Sequence, residues 1–234
     1  MSSDARTVMV TGAAGNLGRA VAGAFAGEGA NLALIGHRRE SLADAFGGEN
    51  ARRLFIAADL LDQQQVEAAA RAALQRFGRI DVLCNIAGGF RMGAPVHETK
   101  EREWDFMFDV NVRTLLNCVR AVVPHMLAAG GGKVINVGAA SALKGGAQMG
   151  AYCAAKSAVI RITESMAAEL REKNINVNCV LPTIIDTPEN RAAMPKADPA
   201  RWVAPENLAK VFLFLASPEA SAIHGAAIPV PALS

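Results

Sequence analysis

The sequence predicts an α/β fold in which a parallel sheet is covered by helices on both faces. Three observations carry this. Short apolar runs of strand length alternate with stretches of helical spacing along the whole chain. The links between them are short, and parallel strands need a helical return across the sheet to be joined that way. Hydrophobic residues are 51% of the 234 positions and charged residues 20%, a balance that allows a sizeable core.

The elements follow in order. Thr7-Val-Met-Val10 is a buried strand ending at Thr11-Gly12, and Leu17 to Glu28 has helical spacing with Leu17, Val21 and Phe25 on one stripe. Between them lie Gly12, Gly15, Asn16, Leu17 and Gly18. Strand, glycine turn and helix start together make a phosphate cradle, because small residues let backbone N–H groups approach and the helix N-terminus favours an anion.

Asn31 to Gly36 is the second strand, followed by a helix through Phe46. A dinucleotide site usually carries an acid at the end of this strand for the ribose 2′-hydroxyl. Here Gly36-His37-Arg38-Arg39 stands instead. Arginine pairs bidentately with a 2′-phosphate, so NADP is favoured over NAD, with His37 and Arg38 at the site. The alternative places Arg38 and Arg39 in a solvated first helical turn.

Leu54 to Ala58 is a third strand ending at Asp59-Leu60, Gln65 to Phe77 a helix, and Arg79 to Cys84 a fourth strand leading into Asn85-Ile-Ala87-Gly88-Gly89. One long helix is expected from about Glu101 to Ala129, with Pro124 kinking or shortening its last turns. Asn111 stands in its middle among apolar neighbours, where a buried amide needs a partner. Lys133 to Val137 is a fifth strand, Gly138 to Met149 a small-residue loop, Ile175 to Leu181 a sixth strand and Ala227 to Val230 a seventh. Pro182 to Ala204 holds four prolines and is too long for a plain connector, so a substrate lid is expected at about 183–204. Pro205 to Ser217 is a helix with proline at its start. No domain boundary interrupts residues 1–234.

The chemistry centres on Gly150-Ala-Tyr152-Cys-Ala-Ala-Lys156, which opens a helix running to Arg171. Tyr152 and Lys156 are four apart and share a helical face. An ammonium beside a phenol lowers the phenol's pKa from about 10 and makes it a usable proton donor or acceptor. Tyr152 is the only tyrosine in the chain. An ordinary amphipathic helix is the competing account, and the upstream nucleotide cradle weighs against it.

Composition excludes other classes. The net charge of +2 makes no basic field for nucleic acid, and 5% aromatics offers no base-stacking platform. Cys84, Cys118, Cys153 and Cys179 are scattered in apolar segments without metal-ligand spacing, so no metal is expected. The polar start and the absence of a bilayer-length apolar run point away from a membrane and toward the cytoplasm. Val159, Ile160, Ile162, Met166 and Leu170 cover two sides of the Tyr152 helix, which suggests burial against a second subunit. Phe90, Arg91, Met92, Leu143, Gln148, Met149, Met194 and Trp202 are candidates to line a small-molecule substrate site, with core or lid packing as the alternative. Arg91, Lys144 and Arg191 could attract an acidic substrate or be solvated cations.

Taken together, these residues resemble the short-chain dehydrogenase/reductase family over essentially the whole chain. The resemblance rests on the glycine turn at 12–18, Asp59, Asn-x-Ala-Gly at 85–88, Asn111, Tyr152-x-x-x-Lys156, and Pro182 with Thr187. It implies one Rossmann-like, doubly wound domain with a seven-stranded parallel sheet. Together with the NADP preference of the second strand, it implies an NADPH-dependent oxidoreductase in which Tyr152 exchanges a proton with the substrate and Lys156 tunes it and binds the nicotinamide ribose. Asn111 would hold a relay water, Asp59 would contact adenine, Asn85 to Gly88 would line the cofactor, and Thr187 would bind the carboxamide. It also implies a homo-oligomer, dimer or tetramer.

Two positions depart from the family pattern. Asn16 replaces a glycine, with Gly15 beside it. The serine expected thirteen residues before the tyrosine is Ala139, and Ser141 follows two residues later. Loss of that donor costs about 10²–10³ in rate where a carbonyl oxyanion forms. Alanine there, and the segment from Asp186 to Trp202, resemble the dihydropteridine reductase branch, which acts on a quinonoid dihydropterin. A cofactor-binding sensor with little catalysis is the alternative that Ala139 keeps open.

Overall fold

The computed structural model describes residues 5–234. Its centre is a seven-stranded sheet in the order β3-β2-β1-β4-β5-β6-β7. The strands are β1 (Thr7–Thr11), β2 (Asn31–Gly36), β3 (Arg53–Ala57), β4 (Val82–Asn85), β5 (Gly132–Val137), β6 (Ile175–Pro182) and β7 (Ala227–Val230), and every pairing is parallel. The helices are α1 (Asn16–Gly27), α2 (Arg39–Phe46), α3 (Gln63–Phe77), α4 (Glu101–Phe108), α5 (Thr114–Ala128), α6 (Gly150–Leu170), α7 (Pro188–Ala193) and α8 (Pro205–Ala216). This is the doubly wound, Rossmann-like fold expected.

Neighbouring strand residues feed opposite layers, as the pleat requires. Val8, Val10, Leu32, Leu34, Val82 and Val180 meet α1 and α8 on one face. Met9, Ala33, Ile35, Leu83, Val134 and Val177 meet α3, α5 and α6 on the other. Because both faces are covered, the central strands read as unbroken apolar runs rather than alternating ones. From β1 the chain builds outward to β3 on one side, then returns to β4 on the other. That reversal opens a crevice beyond the strands' carboxyl ends.

Several boundaries differ from expectation for local reasons. α3 begins at Gln63 because Asp62 caps it, its carboxylate accepting from the N–H groups of Gln64 and Gln65. β4 starts only at Val82; the Asp81 carboxylate accepts from the Thr7 N–H at 2.7 Å and ties the preceding residues to β1. The helix expected over 101–129 runs unbroken from Glu101 to Ala128, but with a π-helical turn over Asp109–Arg113 set between α4 and α5. Asn111 lies in that turn. Its side-chain amide donates to the Met107 carbonyl at 3.0 Å, an acceptor that a regular helix gives to a backbone N–H. Pro124 does not shorten α5, which runs on to Ala128.

The surplus apolar surface assigned to α6 is accounted for within the chain. Val159, Ile160, Met166 and Leu170 are buried and Ile162 is half-buried within the chain itself, where α6 packs against β6, α4 and the π turn. The 183–204 segment is itself structured, with α7 and a short 3₁₀ turn at Pro199–Arg201, and its Trp202 is buried. All four cysteines are buried and unpaired. No described helix is long and apolar enough to cross a membrane, and among the described residues no cluster of His, Cys, Asp or Glu could hold a metal ion.

Candidate active site

The turn after β1 is made by what its residues lack. Gly12 has φ +62°, which a side chain would strain, and a Cβ there would stand 3.0 Å from the Ala87 backbone. A Cβ on Gly18 would fall 2.3 Å from the Gly12 carbonyl oxygen. Gly15 precedes α1 with no side-chain cap, and α1 has no acid in its first turn. The first amides of the helix thus keep free donors beside a bare backbone, which fits a dinucleotide phosphate.

This turn forms one end of a cleft of about 950 Å³, at the upper end of the roughly 300–1,000 Å³ that small-ligand sites span. The backbone beyond β1, β2, β4, β5 and β6 all reaches it. The Thr11 hydroxyl locks two of those turns together, accepting from the N–H groups of Ile86 at 3.0 Å and Ala87 at 3.1 Å.

At the other end, α6 presents Tyr152 and Lys156 to the cleft. The ring of Phe90 stands edge-on to Tyr152, with centroids 4.9 Å apart. Lys156 is buried, and its ammonium donates to the Val137 carbonyl at 2.9 Å. Burial pushes the Lys156 amine down to about 8 and the Tyr152 phenol up to about 12. The expectation of a phenol made acidic by the amine is thus reversed in this state. Desolvation disfavours both charges, and it outweighs the attraction that helical spacing alone would suggest.

Asn111 closes this end from beneath. Its Oδ1 accepts from the Gly89 N–H at 3.1 Å, and its Nδ2 donates to the Gly89 carbonyl at 3.0 Å. A Cβ on Gly88 would lie 2.9 Å from Asn111 Oδ1 and 3.2 Å from Lys156 Nζ, so glycine alone leaves these polar atoms room to converge.

The family model for short chain dehydrogenases matches residues 6–198. The chain belongs to the short-chain dehydrogenase family. Among its relatives, D-threitol dehydrogenase of Mycolicibacterium smegmatis is 36% identical, over 95% of this chain and 90% of that protein. The 3-oxoacyl-[acyl-carrier-protein] reductase FabG of Thermotoga maritima is 32% identical over 98% of both. The solved structure of a 3-ketoacyl-(acyl-carrier-protein) reductase from Brucella melitensis, complexed with NADH, superposes with TM-score 0.87 at 29% identity over 98% of each chain. NAD⁺-bound xylitol dehydrogenase gives 0.89 at 25% identity, over 99% of this chain and all of that one.

In this short-chain dehydrogenase the cleft gathers Gly12, Gly15, Asn16, Leu17, Gly18, His37, Arg38, Ala87, Gly88, Tyr152, Lys156, Pro182 and Thr187. It does not gather Asp59, Leu60, Asn85 or Asn111 into its wall. The Asp59 carboxylate accepts from the Leu61 N–H, and the Leu60 carbonyl is held by Asn117. Asn85 is buried, donating to Asn136, which in turn donates to Thr163 beneath α6. Asn111 supports the site from behind the Gly88–Gly89 backbone, bonding Gly89 and the Met107 carbonyl.

Arg39 is settled as structural, since it donates to the Phe55 carbonyl and pairs with Glu49. Arg191 likewise binds both carboxylate oxygens of Asp186. Ala139 and Ser141 both line the cleft, and among the described residues the Ser141 hydroxyl has no protein partner. Residues that sequence reasoning passed over include Thr11, Ser41, Ile184 and Asn190. Thr11 announces itself only by preceding Gly12, because the turn it binds is seventy-five positions away.

Proposed function

We propose that this short-chain dehydrogenase is an NADPH-dependent reductase acting on a C=O or conjugated C=N bond of a small substrate. The observation that supports it best is that Tyr152 and Lys156 open into the same cleft as the glycine turn. When bound, the nicotinamide dinucleotide supplies the hydride. The Tyr152 hydroxyl gives its proton to the substrate oxygen or nitrogen, and burial keeps that proton in place at neutral pH until it is needed. Lys156 stands one turn below and holds the ribose. Its amine, drawn down to about 8, is poised to lend or share charge when the phenol loses its proton. Gly12 to Gly18 take the phosphates, and the segment at 183–204 is the substrate lid, with Thr187 on the carboxamide.

The preference for the phosphorylated cofactor rests on this chain's own second strand. The Brucella reductase was solved with NADH and carveol dehydrogenase of Mycobacterium avium with NAD. Here His37 and Arg38 are exposed at the cleft, and among the described residues Arg38 has no ion-pair partner. A guanidinium so placed suits a 2′-phosphate. Ala139 favours an electrophile that needs no hydroxyl donor, which brings quinonoid dihydropterin into the substrate panel beside simple carbonyls.

The test follows nicotinamide absorbance with NADPH and that panel. Tyr152→Phe is expected to lose about 10²–10⁴ in kcat while still binding cofactor. Turnover undiminished in that variant would refute the role of the phenol. Tight cofactor binding with no turnover of any compound would favour a sensor instead. In parallel titrations, Arg38→Ala is expected to weaken NADPH binding about ten-fold and leave NADH unchanged; a wild-type preference for NADH would reverse the cofactor assignment.

A further inference from the structure

Tyr152 belongs to two cavities. Beside the cofactor cleft it also lines a second one of about 390 Å³, enclosed by the chain after Arg91, the start of α4 and residues 148–151. The charged side chains on this wall are Arg91, Arg102 and Glu103. Arg91 lays its guanidinium over the Phe106 ring, 3.8 Å from the centroid. Stacking fixes the plane of the fork and leaves its N–H edge available. Among the described residues, neither Arg91 nor Arg102 forms a hydrogen bond or ion pair with the protein, whereas Arg191 on α7 is already bound by Asp186.

We infer that this second cavity receives a carboxylate-bearing arm of the substrate, whose reacting carbon sits on the cleft side of Tyr152. The inference rests on the reductase proposed above and names its substrate class: oxo acids, or anionic cyclic imines, carrying a carboxylate beyond the reducible bond. Two guanidinium groups against one carboxylate leave the wall one positive charge in excess, matched to a monoanion. The planar fork held on Phe106 selects a carboxylate by bidentate geometry. The cavity's size admits a short arm rather than a second nucleotide. Tyr152, standing between the two spaces, meets the reducible bond when the arm is seated.

Matched pairs of probes decide it: levulinate and 4-acetylbenzoate, each against its methyl ester. Binding to the NADPH-loaded protein is measured by calorimetry, and reduction by absorbance. The acids are expected to bind about ten- to a hundred-fold tighter than the esters, with the difference in KM and not in kcat. Arg91→Gln and Arg102→Gln should each erase about ten-fold of that preference while ester binding holds. Equal binding of acid and ester, or a preference untouched in the Arg91→Gln/Arg102→Gln double variant, overturns the inference whether or not the probes turn over. Acid-selective binding without reduction of any probe would keep the arm site and sink the reductase instead.

Discussion

At the β1 end of the cleft the wall is backbone, and Gly12, Gly15 and Gly18 serve by having nothing beyond Cα. At the α6 end the wall is side chains: Tyr152 and Lys156 from α6 and, one step behind, Asn111 from the π turn. The first end tolerates no added atoms. The second tolerates no lost ones. The fold supplies the contrast, since a turn between a strand and a helix exposes amides by default, whereas a proton donor needs a helix face, a supporting carbonyl and a buried amide brought from three places in the sequence.

Substituting at the bare end should produce the largest effect. Gly18→Ala drives a Cβ to 2.3 Å from the Gly12 oxygen and 2.7 Å from Ala13 Cα, both backbone atoms that cannot step aside. A loss of about 3 kcal/mol or more in unfolding stability is expected from such overpacking, together with loss of dinucleotide binding. Gly23, on the same helix, has nothing within 4 Å of its Cβ position. Gly23→Ala should be neutral or stabilise by about 0.5–1 kcal/mol. Chemical denaturation of the pair sharpens the contrast; similar losses in both would erase it.

The side-chain end breaks by deletion. Asn111→Leu keeps the volume but strands the Gly89 N–H, the Gly89 carbonyl and the Met107 carbonyl. A cost of about 2–4 kcal/mol is expected, with weakened cofactor binding because Gly88 and Gly89 shift. A variant as stable as wild type would show that the π turn does not depend on this amide.

The same contrast explains what could be foreseen. Missing side chains are written in the sequence, so the glycine turn was legible as spelled, and a spacing of four put Tyr152 and Lys156 on one face. The π turn was not legible, because periodicity cannot show one extra residue where a side chain takes over a backbone acceptor. Nor was the bridge from Thr11 to Ile86 and Ala87, which exists only because β4 lies next to β1 in the sheet. The direction of the phenol's pKa was misjudged for a related reason. Helical spacing brings two side chains near each other, but burial decides where the charge goes. The packing of α4 on α6 is likewise invisible to a helical pattern, because α4 lies forty-odd residues upstream.

One contact crosses between the two kinds of wall, and it gives the smallest expected effect. Asn16, standing where the family has glycine, donates from Nδ2 to the Glu189 carboxylate on α7 at 2.8 Å, while its Oδ1 accepts from Arg19 at 2.6 Å. The 183–204 segment is thereby tied to the phosphate turn through an exposed acid. Its own backbone amide, then the Thr187 hydroxyl and Asn16, hold that carboxyl below the usual carboxylate range. It sets a negative charge at the mouth of a site built for phosphates. Glu189→Gln keeps a hydrogen-bond acceptor for Asn16 and removes the charge. Dinucleotide affinity should rise about two- to five-fold at low salt, with the gain shrinking as ionic strength is raised, because exposed charges are screened. Weaker binding in Glu189→Gln would mean instead that the carboxylate holds the lid closed over the bound cofactor more than it repels the cofactor's phosphates.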